Sequence, residues 1–293
     1  MACAKPWLIV GTVPDEAFPI YYGKIAEEDG CLLLEKGQRV PFTRGTPALL
    51  GAFSCTCLFL QTALPEVALV GDIGQGNGSR NLYEALCETI LPHRQFAGVT
   101  FHYLYPDVDW HNRLLMLFDA MEARPCLVAD AGFMYAAKMA GFAKSYDLFT
   151  PDSGELAFLA DEHAPHPFYT RGFLLGNEDV ETLITRAYEH ENAASWMIVK
   201  GKYDRIVHKG TLLATIREPN IPAMEAIGGT GDMVCGIASA LLASGFSLHD
   251  ATVKACMTAR IVADLAKPNP ATQIACLLPF IPRALEKALS NRV

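Results

Sequence analysis

The 293-residue sequence predicts an α/β fold built on a mainly parallel sheet with helices on both faces, and three observations carry that reading. Six short apolar runs, WLIVGTV, VALVGDIG, GVTFHYLY, CLVADAG, YDLFTPD and SWMIVKG, lack the strict polar alternation of a half-exposed strand. Parallel strands covered on both faces have that character. Helix-length segments separate the runs, and strand–helix alternation marks parallel crossovers. From Thr230 onward no strand-like run occurs, so a helical block closes the chain.

Taken in order, WLIVGTV opens the sheet, and residues 14–45, the least regular stretch, read as a small accessory piece or lid. Helices are expected over Pro47–Ala63, Arg80–Ile90, Trp110–Glu122, Phe133–Gly141 and Asp179–His190, each between two of the apolar runs or beside one. RIVHKGTLLATIRE reads as a β-hairpin turning at Lys209-Gly210. The closing block divides into helices Thr230–Ser244, Leu248–Ala266 and Thr272–Ser290, the last two parted by the prolines of LAKPNPATQ. With no internal repeat or low-complexity linker, one domain over residues 1–293 is expected.

Composition narrows the function. The chain is 51% hydrophobic and carries a formal charge of −8, which suits a large core and argues against a nucleic-acid partner, whose binder shows a basic stripe. A small anionic ligand held by a local site stays open. No apolar run approaches the roughly 20 residues of a membrane span, and the first one lacks the flanks of a signal peptide. Nine cysteines at scattered spacing, several inside apolar runs, read as reduced, buried thiols of a cytoplasmic protein.

The chemistry concentrates at strand ends, where ligands bind in open α/β sheets. VALVGDIGQGNGSR ends in Gly71, Asp72 and Gly74, LVADAG in Asp130, LFTPDSGE in Asp152 and Glu155, and MIVKGKYD in Lys200, Gly201 and Asp204. Neither a P-loop nor G-x-G-x-x-G is present. EAIGGTGD is the sharpest feature. Gly228, Gly229 and Gly231 let backbone N–H groups turn inward, and the helix starting near Thr230 adds unpaired N–H groups and a partial positive charge, which together make an anion hole. Asp232 would then stand within reach of a bound phosphate, placed to accept a proton from an attacking hydroxyl. The same residues also describe a glycine turn before a capped helix, and the pattern alone leaves both readings open.

GGTGDMVCGIASALLASG resembles the signature of the ribokinase-like superfamily, in which G-[AT]-G-D precedes a helix of small and apolar residues. LVADAG, LFTPDSGELAFLAD and WMIVKGKYDRIV resemble further stretches of that group, in the same order from about Val67 to the C-terminus. The TPxxGE and VKG forms look most like the ADP/ATP-dependent NAD(P)H-hydrate dehydratases, the YjeF C-terminal type, with hydroxyethylthiazole kinase as a second relative. In place of the usual TPHPGE stands TPDSGE, and RGTPALLGA, Arg44–Ala52, keeps only the Gly-Ala of that group's N-terminal G-G-S-x-x-[YF]-x-G-A loop.

The resemblance implies a three-layer α/β/α fold, ATP or ADP with Mg²⁺ as cofactors, and roles for named residues. Asp232 is the candidate catalytic base, with Gly229, Thr230 and Gly231 as the phosphate-binding anion hole. Lys200 and Gly201 are candidates for nucleotide binding, and Glu155 for orienting a magnesium–water shell; a strand-end lysine and a helix-start glutamate are the plainer alternatives. Asp130 is a candidate for substrate or metal, and Arg44 for substrate. Asp72 and Gly74 are candidates for a second wall of the site, or else belong to a glycine loop in which Ser79 caps a helix. His102 and His111 are candidates to line a substrate or adenine pocket, and Pro268-Asn269-Pro270 to edge the base pocket; packing is the alternative for the histidines. His163 and His166 read as part of a solvated loop rather than a metal cluster.

Three functions follow. The first is phosphoryl transfer from ATP to a hydroxyl of a small molecule, and the second is the NAD(P)H-hydrate dehydratase reaction, which shares its first step. The third is a nucleotide-binding protein without catalysis. The expected partner is a small-molecule substrate, with a homo-oligomer possible and no membrane or nucleic acid involved.

Overall fold

The computed structural model describes residues 5–35, 37–164 and 179–290. Among them, six parallel strands form the centre of a sheet: β1 (Trp7–Val13), β5 (Glu66–Gly71), β6 (Gly98–His102), β7 (Cys126–Ala129), β8 (Leu148–Phe149) and β9 (Trp196–Val199). Antiparallel strands extend it at both ends: β10 (Asp204–His208) and β11 (Thr211–Ile216) beyond β9, and β2 (Tyr21–Glu28), β3 (Cys31–Leu34) and β4 (Arg39–Pro41) beyond β5. The full order is β11-β10-β9-β8-β7-β6-β1-β5-β2-β3-β4.

The lack of polar alternation in the central strands has its cause here. Along β1, Trp7 and Ile9 enter one core while Leu8 and Val10 enter the other. The first core is closed by α1 (Thr46–Leu60), α7 (Thr230–Ala243), α8 (Leu248–Ala266) and α9 (Ile281–Ser290). The second is closed by α2 (Asn77–Ala85), α3 (Val108–Asp119), α4 (Phe133–Met139), α5 (Ser153–Ala160) and α6 (Val180–Glu189). Helices thus cover both faces, the three-layer arrangement of the ribokinase-like fold.

Residues 14–45, expected as an accessory piece, supply the β2–β4 meander, which continues the sheet through Tyr21 opposite Leu69. The hairpin turns at Lys209 and Gly210, whose φ of 48° and 82° give the two left-handed residues of a tight hairpin turn. The expected helix Thr272–Ser290 needs correction: its first half is two 3-10 turns, Ile274–Cys276 and Leu278–Phe280, and α9 begins at Ile281. Pro279 has no N–H to donate and its ring obstructs an α-helical turn before it. Likewise α1 stops at Leu60, short of Ala63, because Gln61 turns left-handed at φ 56°.

The site depends on one helix pair. Gly236 lets α7 cross α1 so closely that a Cβ there would lie 2.3 Å from the Leu49 carbonyl oxygen. The N-termini of both helices thereby meet beside the carboxyl ends of β6, β7 and β9. No helix among the described residues is long and apolar enough to cross a membrane.

Candidate active site

Asp232 is the third residue of α7, behind the N-cap Gly229. Its Oδ2 accepts the N–H of Gly45, the N-cap of α1, at 2.6 Å. Its Oδ1 lies 3.1 Å from His102 Nε2. The carboxylate therefore stands at the positive ends of two helix dipoles. Burial works to raise its pKa, but His102, then the Lys200 charge and the Gly45 N–H, outweigh burial and hold the group below its ordinary value. The result is a buried acid that remains ionised. Thr230 turns its hydroxyl back toward Ile227 O and Met224 O, at 3.1 and 3.3 Å, so its backbone N–H is the group it offers a ligand.

Lys200, at the end of β9, places Nζ 3.0 and 3.1 Å from the two carboxylate oxygens of Asp130, at the end of β7. Burial opposes the lysine's charge, yet Asp130 and Glu155 overcome it and drive the ammonium pKa up. His102, Asp130 and Asp232 bring three ligand atoms within 4.8 Å of one another. Lys200 already supplies positive charge to Asp130 at that point, so the trio lies within an ion-pair network.

Glu155 differs. It forms a capping box with Asp152, accepting the Asp152 N–H at 2.8 Å through Oε2. Burial pushes its carboxyl up to about 8, opposed by Lys200 and reinforced by Asp130 and Asp152. A cleft-lining carboxylate that lacks enough positive charge, with Asp152 beside it, offers the oxygen donors that suit a hydrated Mg²⁺.

These groups share one cleft of about 580 Å³. Asp130, Asp152, Glu155, Lys200, Gly201, Asp204, Gly229, Thr230, Gly231 and Asp232 all line it, so the structure brings together ten of the residues singled out in the sequence. The apolar side chains of Ile221, Met224, Ala259 and Ala263 also line it, as does Arg260. The Arg260 Nε donates to Asp204 at 2.7 Å, and its guanidinium also reaches the carbonyls of Lys202 at 3.0 Å and Arg217 at 3.1 Å.

Arg44 is exposed beside the cleft, with its side chain facing Gly228. Asp72 and Gly74 are absent from the described cleft lining. Asp72 is saturated by its own loop, accepting Gly74, Gln75 and Gly76 N–H through Oδ1 and the N–H and hydroxyl of Ser79 through Oδ2. His111 packs in the second core, 3.0 Å from the Tyr146 hydroxyl, where burial lowers its pKa. Pro268-Asn269-Pro270 is not among the lining residues, whereas Pro219 and Asn220 are. His166 lies outside the described residues.

Sequence reasoning missed Gly45, Arg260 and the part played by His102. Gly45 donates to Asp232 across 187 positions of sequence, and no local spacing reports such a contact. Tyr103, left-handed at φ 56°, also lines the cleft. A bulky residue held in that conformation is the kind of strain that collects at functional sites.

Comparison with known proteins identifies the family and the fold. A family model described as NAD(P)H-hydrate dehydratase matches residues 108–283. The chain is 38% identical over 243 residues to an uncharacterized protein of Methanocaldococcus jannaschii, covering 82% of this chain and all of that one. The pyridoxal kinase of Staphylococcus aureus, solved with pyridoxal, has a similar fold, with TM-score 0.55, 17% identity, and 88% and 87% of the two chains covered. So does a mutant phosphofructokinase-2 of Escherichia coli, with TM-score 0.57, 15% identity, and 96% and 99% covered.

Proposed function

The chain belongs to the NAD(P)H-hydrate dehydratase family, and on that premise we propose that it transfers a phosphoryl group from ATP to a hydroxyl of a small molecule. One observation carries the reading: an ionised Asp232 lies on the wall of a cleft into which the first N–H groups of α7 and the Lys200 ammonium also face. Asp232 accepts the proton of the attacking hydroxyl. The N–H groups of Gly229, Thr230 and Gly231 take up charge that grows on the transferring phosphoryl oxygens. Lys200 and Gly201 face the nucleotide phosphates, and the apolar wall at Ile221 and Met224 receives the base. Mg²⁺ bound through water at Glu155 would neutralise phosphate charge. Asp130 keeps Lys200 in place, and Arg44 stands on the substrate side.

The family match favours a second reading, with NAD(P)H hydrate as the hydroxyl compound and ATP or ADP as the nucleotide. Phosphorylation then makes the hydroxyl a leaving group, and elimination restores the reduced dinucleotide. Incubation with NADPH hydrate, Mg²⁺ and ATP or ADP separates the two, since recovery of NADPH absorbance marks the dehydratase. Failure of recovery alongside ATP turnover on a panel of sugars and vitamin alcohols marks the kinase. If Asp232→Asn turned over the active compound at the wild-type rate, the base assignment would be wrong.

A further inference from the structure

We propose that His102 is a positioning residue: its Nε2–H holds the Asp232 carboxylate with a lone pair toward the cleft, and Thr46 sets the tautomer that permits this. The inference rests on the reading of Asp232 as the base. His102 is fully buried and ends β6, where pairing with Gly11 fixes its backbone. Its imidazole spans the starts of two helices. Nδ1 lies 3.0 Å from Thr46 Oγ1 at the beginning of α1, and Nε2 lies 3.1 Å from Asp232 Oδ1 in α7. Space for this link is cleared on β1: a Cβ at Gly11 would lie 2.5 Å from Thr46 Oγ1 and 2.8 Å from His102 O.

The tautomer follows from the hydrogen-bond inventory. A threonine inside a helix can give its hydroxyl hydrogen to a carbonyl one turn earlier, as Thr56 does to Ala52 O at 2.8 Å. Thr46 is the first residue of α1, with no helical turn behind it, and it is fully buried. Its hydroxyl therefore donates to Nδ1, which leaves the imidazole hydrogen on Nε2 facing Asp232. Together the Gly45 N–H and His102 Nε2–H engage each oxygen once. Two donors fix the plane of the carboxylate and leave acceptor capacity for a substrate hydroxyl. The other ionisable groups facing Asp232 are Lys200, Asp130, Tyr103 and, on its own helix, Cys235. Lys200 is paired with Asp130, so His102 is the side chain that contacts the base directly.

The first test needs no substrate. ¹⁵N-histidine NMR of the wild-type protein is expected to show His102 as the neutral Nε2–H tautomer, and Thr46→Val is expected to remove that preference. A His102 that carries its hydrogen on Nδ1 overturns the proposal. The second test uses NADPH hydrate and the sugar and vitamin-alcohol panel with ATP and Mg²⁺. His102→Gln puts an amide N–H near the Nε2 position, whereas the shorter His102→Asn reaches only the Nδ1 position. The Asn variant is expected to lose kcat by about 10- to 100-fold at unchanged KM, the range for one hydrogen bond to a charged group. The acid limb of its kcat profile is expected to move to higher pH. His102→Gln is expected to restore most of the rate and the wild-type limb. Wild-type kcat and pH profile in His102→Asn, with Asp232→Asn inactive, overturn the positioning role alone. Wild-type turnover in Asp232→Asn instead overturns the base reading, and the NMR outcome still decides the tautomer.

Discussion

Asp72 and Asp232 begin alike. Each is an acid in a glycine-rich stretch where a strand or loop meets a helix, and the two are almost equally buried, at 9% and 8% exposed. Each is also held below its ordinary pKa despite burial, Asp72 chiefly by Ser79 and Asp232 chiefly by His102. They differ in where their partners come from. Asp72 takes five donors, all within seven residues of itself, and so pins the start of α2. Asp232 takes one donor at each oxygen, from Gly45 and His102, both remote in sequence. A carboxylate has about four lone-pair sites. One saturated from its own loop serves the fold, whereas one oriented by two distant donors keeps capacity for a substrate proton.

The comparison is most exposed to a change that removes charge and keeps shape. Asp232→Asn is expected to lower turnover by about 10²- to 10⁴-fold, the usual range for a general base. Asp72→Asn is expected to keep kcat within about threefold, since no reacting group depends on it. Equal losses of kcat in the two variants would dissolve the distinction. Asp72→Ala leaves buried N–H groups without an acceptor and is expected to cost about 3 kcal/mol in urea unfolding.

The pH dependence follows from the sign of the shift. Asp72 has a folded-state pKa below its unfolded value of about 3.9. The stability it contributes is thus present above about pH 4 and is lost as pH falls through the lower folded value. Asp72→Asn is expected to flatten the acid end of the stability curve, and an unchanged acid limb would show that the loop's hydrogen bonds do not depend on the charge.

Why the sequence placed both acids in one class is physical. The donors to Asp72 are mostly backbone N–H groups, which every residue but proline possesses, so composition does not report saturation. Ser79 is the one local signal, but it does not cap the helix as expected: the N-cap of α2 is Gly76, and Ser79, inside the helix, donates to Asp72. GGTGD and VKG were legible because an anion hole and a strand-end lysine are short, contiguous devices. The Asp232–His102 contact spans 130 positions and depends on α1 and α7 crossing at Gly236. The same limit shaped the fold. Central strands announced themselves as apolar runs because both faces are packed, while β2, with Lys24, Glu27 and Glu28 on an edge-side meander, did not. Arg260 carried no local signal, because its partners, Asp204 and the carbonyl of Lys202, lie more than fifty positions away in sequence.

The smallest expected effects come from the glycines of the two loops, which share a conformation and differ in surroundings. Gly74 has φ +95° and Gly229 has φ +100°, a region costly to any residue with a Cβ. A Cβ at Gly74 meets nothing within 4 Å, so Gly74→Ala is expected to cost only backbone strain, about 1 kcal/mol, and to leave kcat unchanged. A Cβ at Gly229 would sit 3.1 Å from Ile274 and 3.3 Å from Ala48, pressing the N-cap of α7 against α1. Gly229→Ala is expected to cost about 2 kcal/mol, strain plus tight packing. It should also lower kcat, because the amides of the anion hole move with the cap. Urea midpoints and kcat for both variants check this, and their ratio is the sharper measure. If Gly74→Ala reduced kcat as much as Gly229→Ala, the Asp72 loop would act on the reacting groups, and its saturation by Ser79 and the loop amides would have to open during turnover.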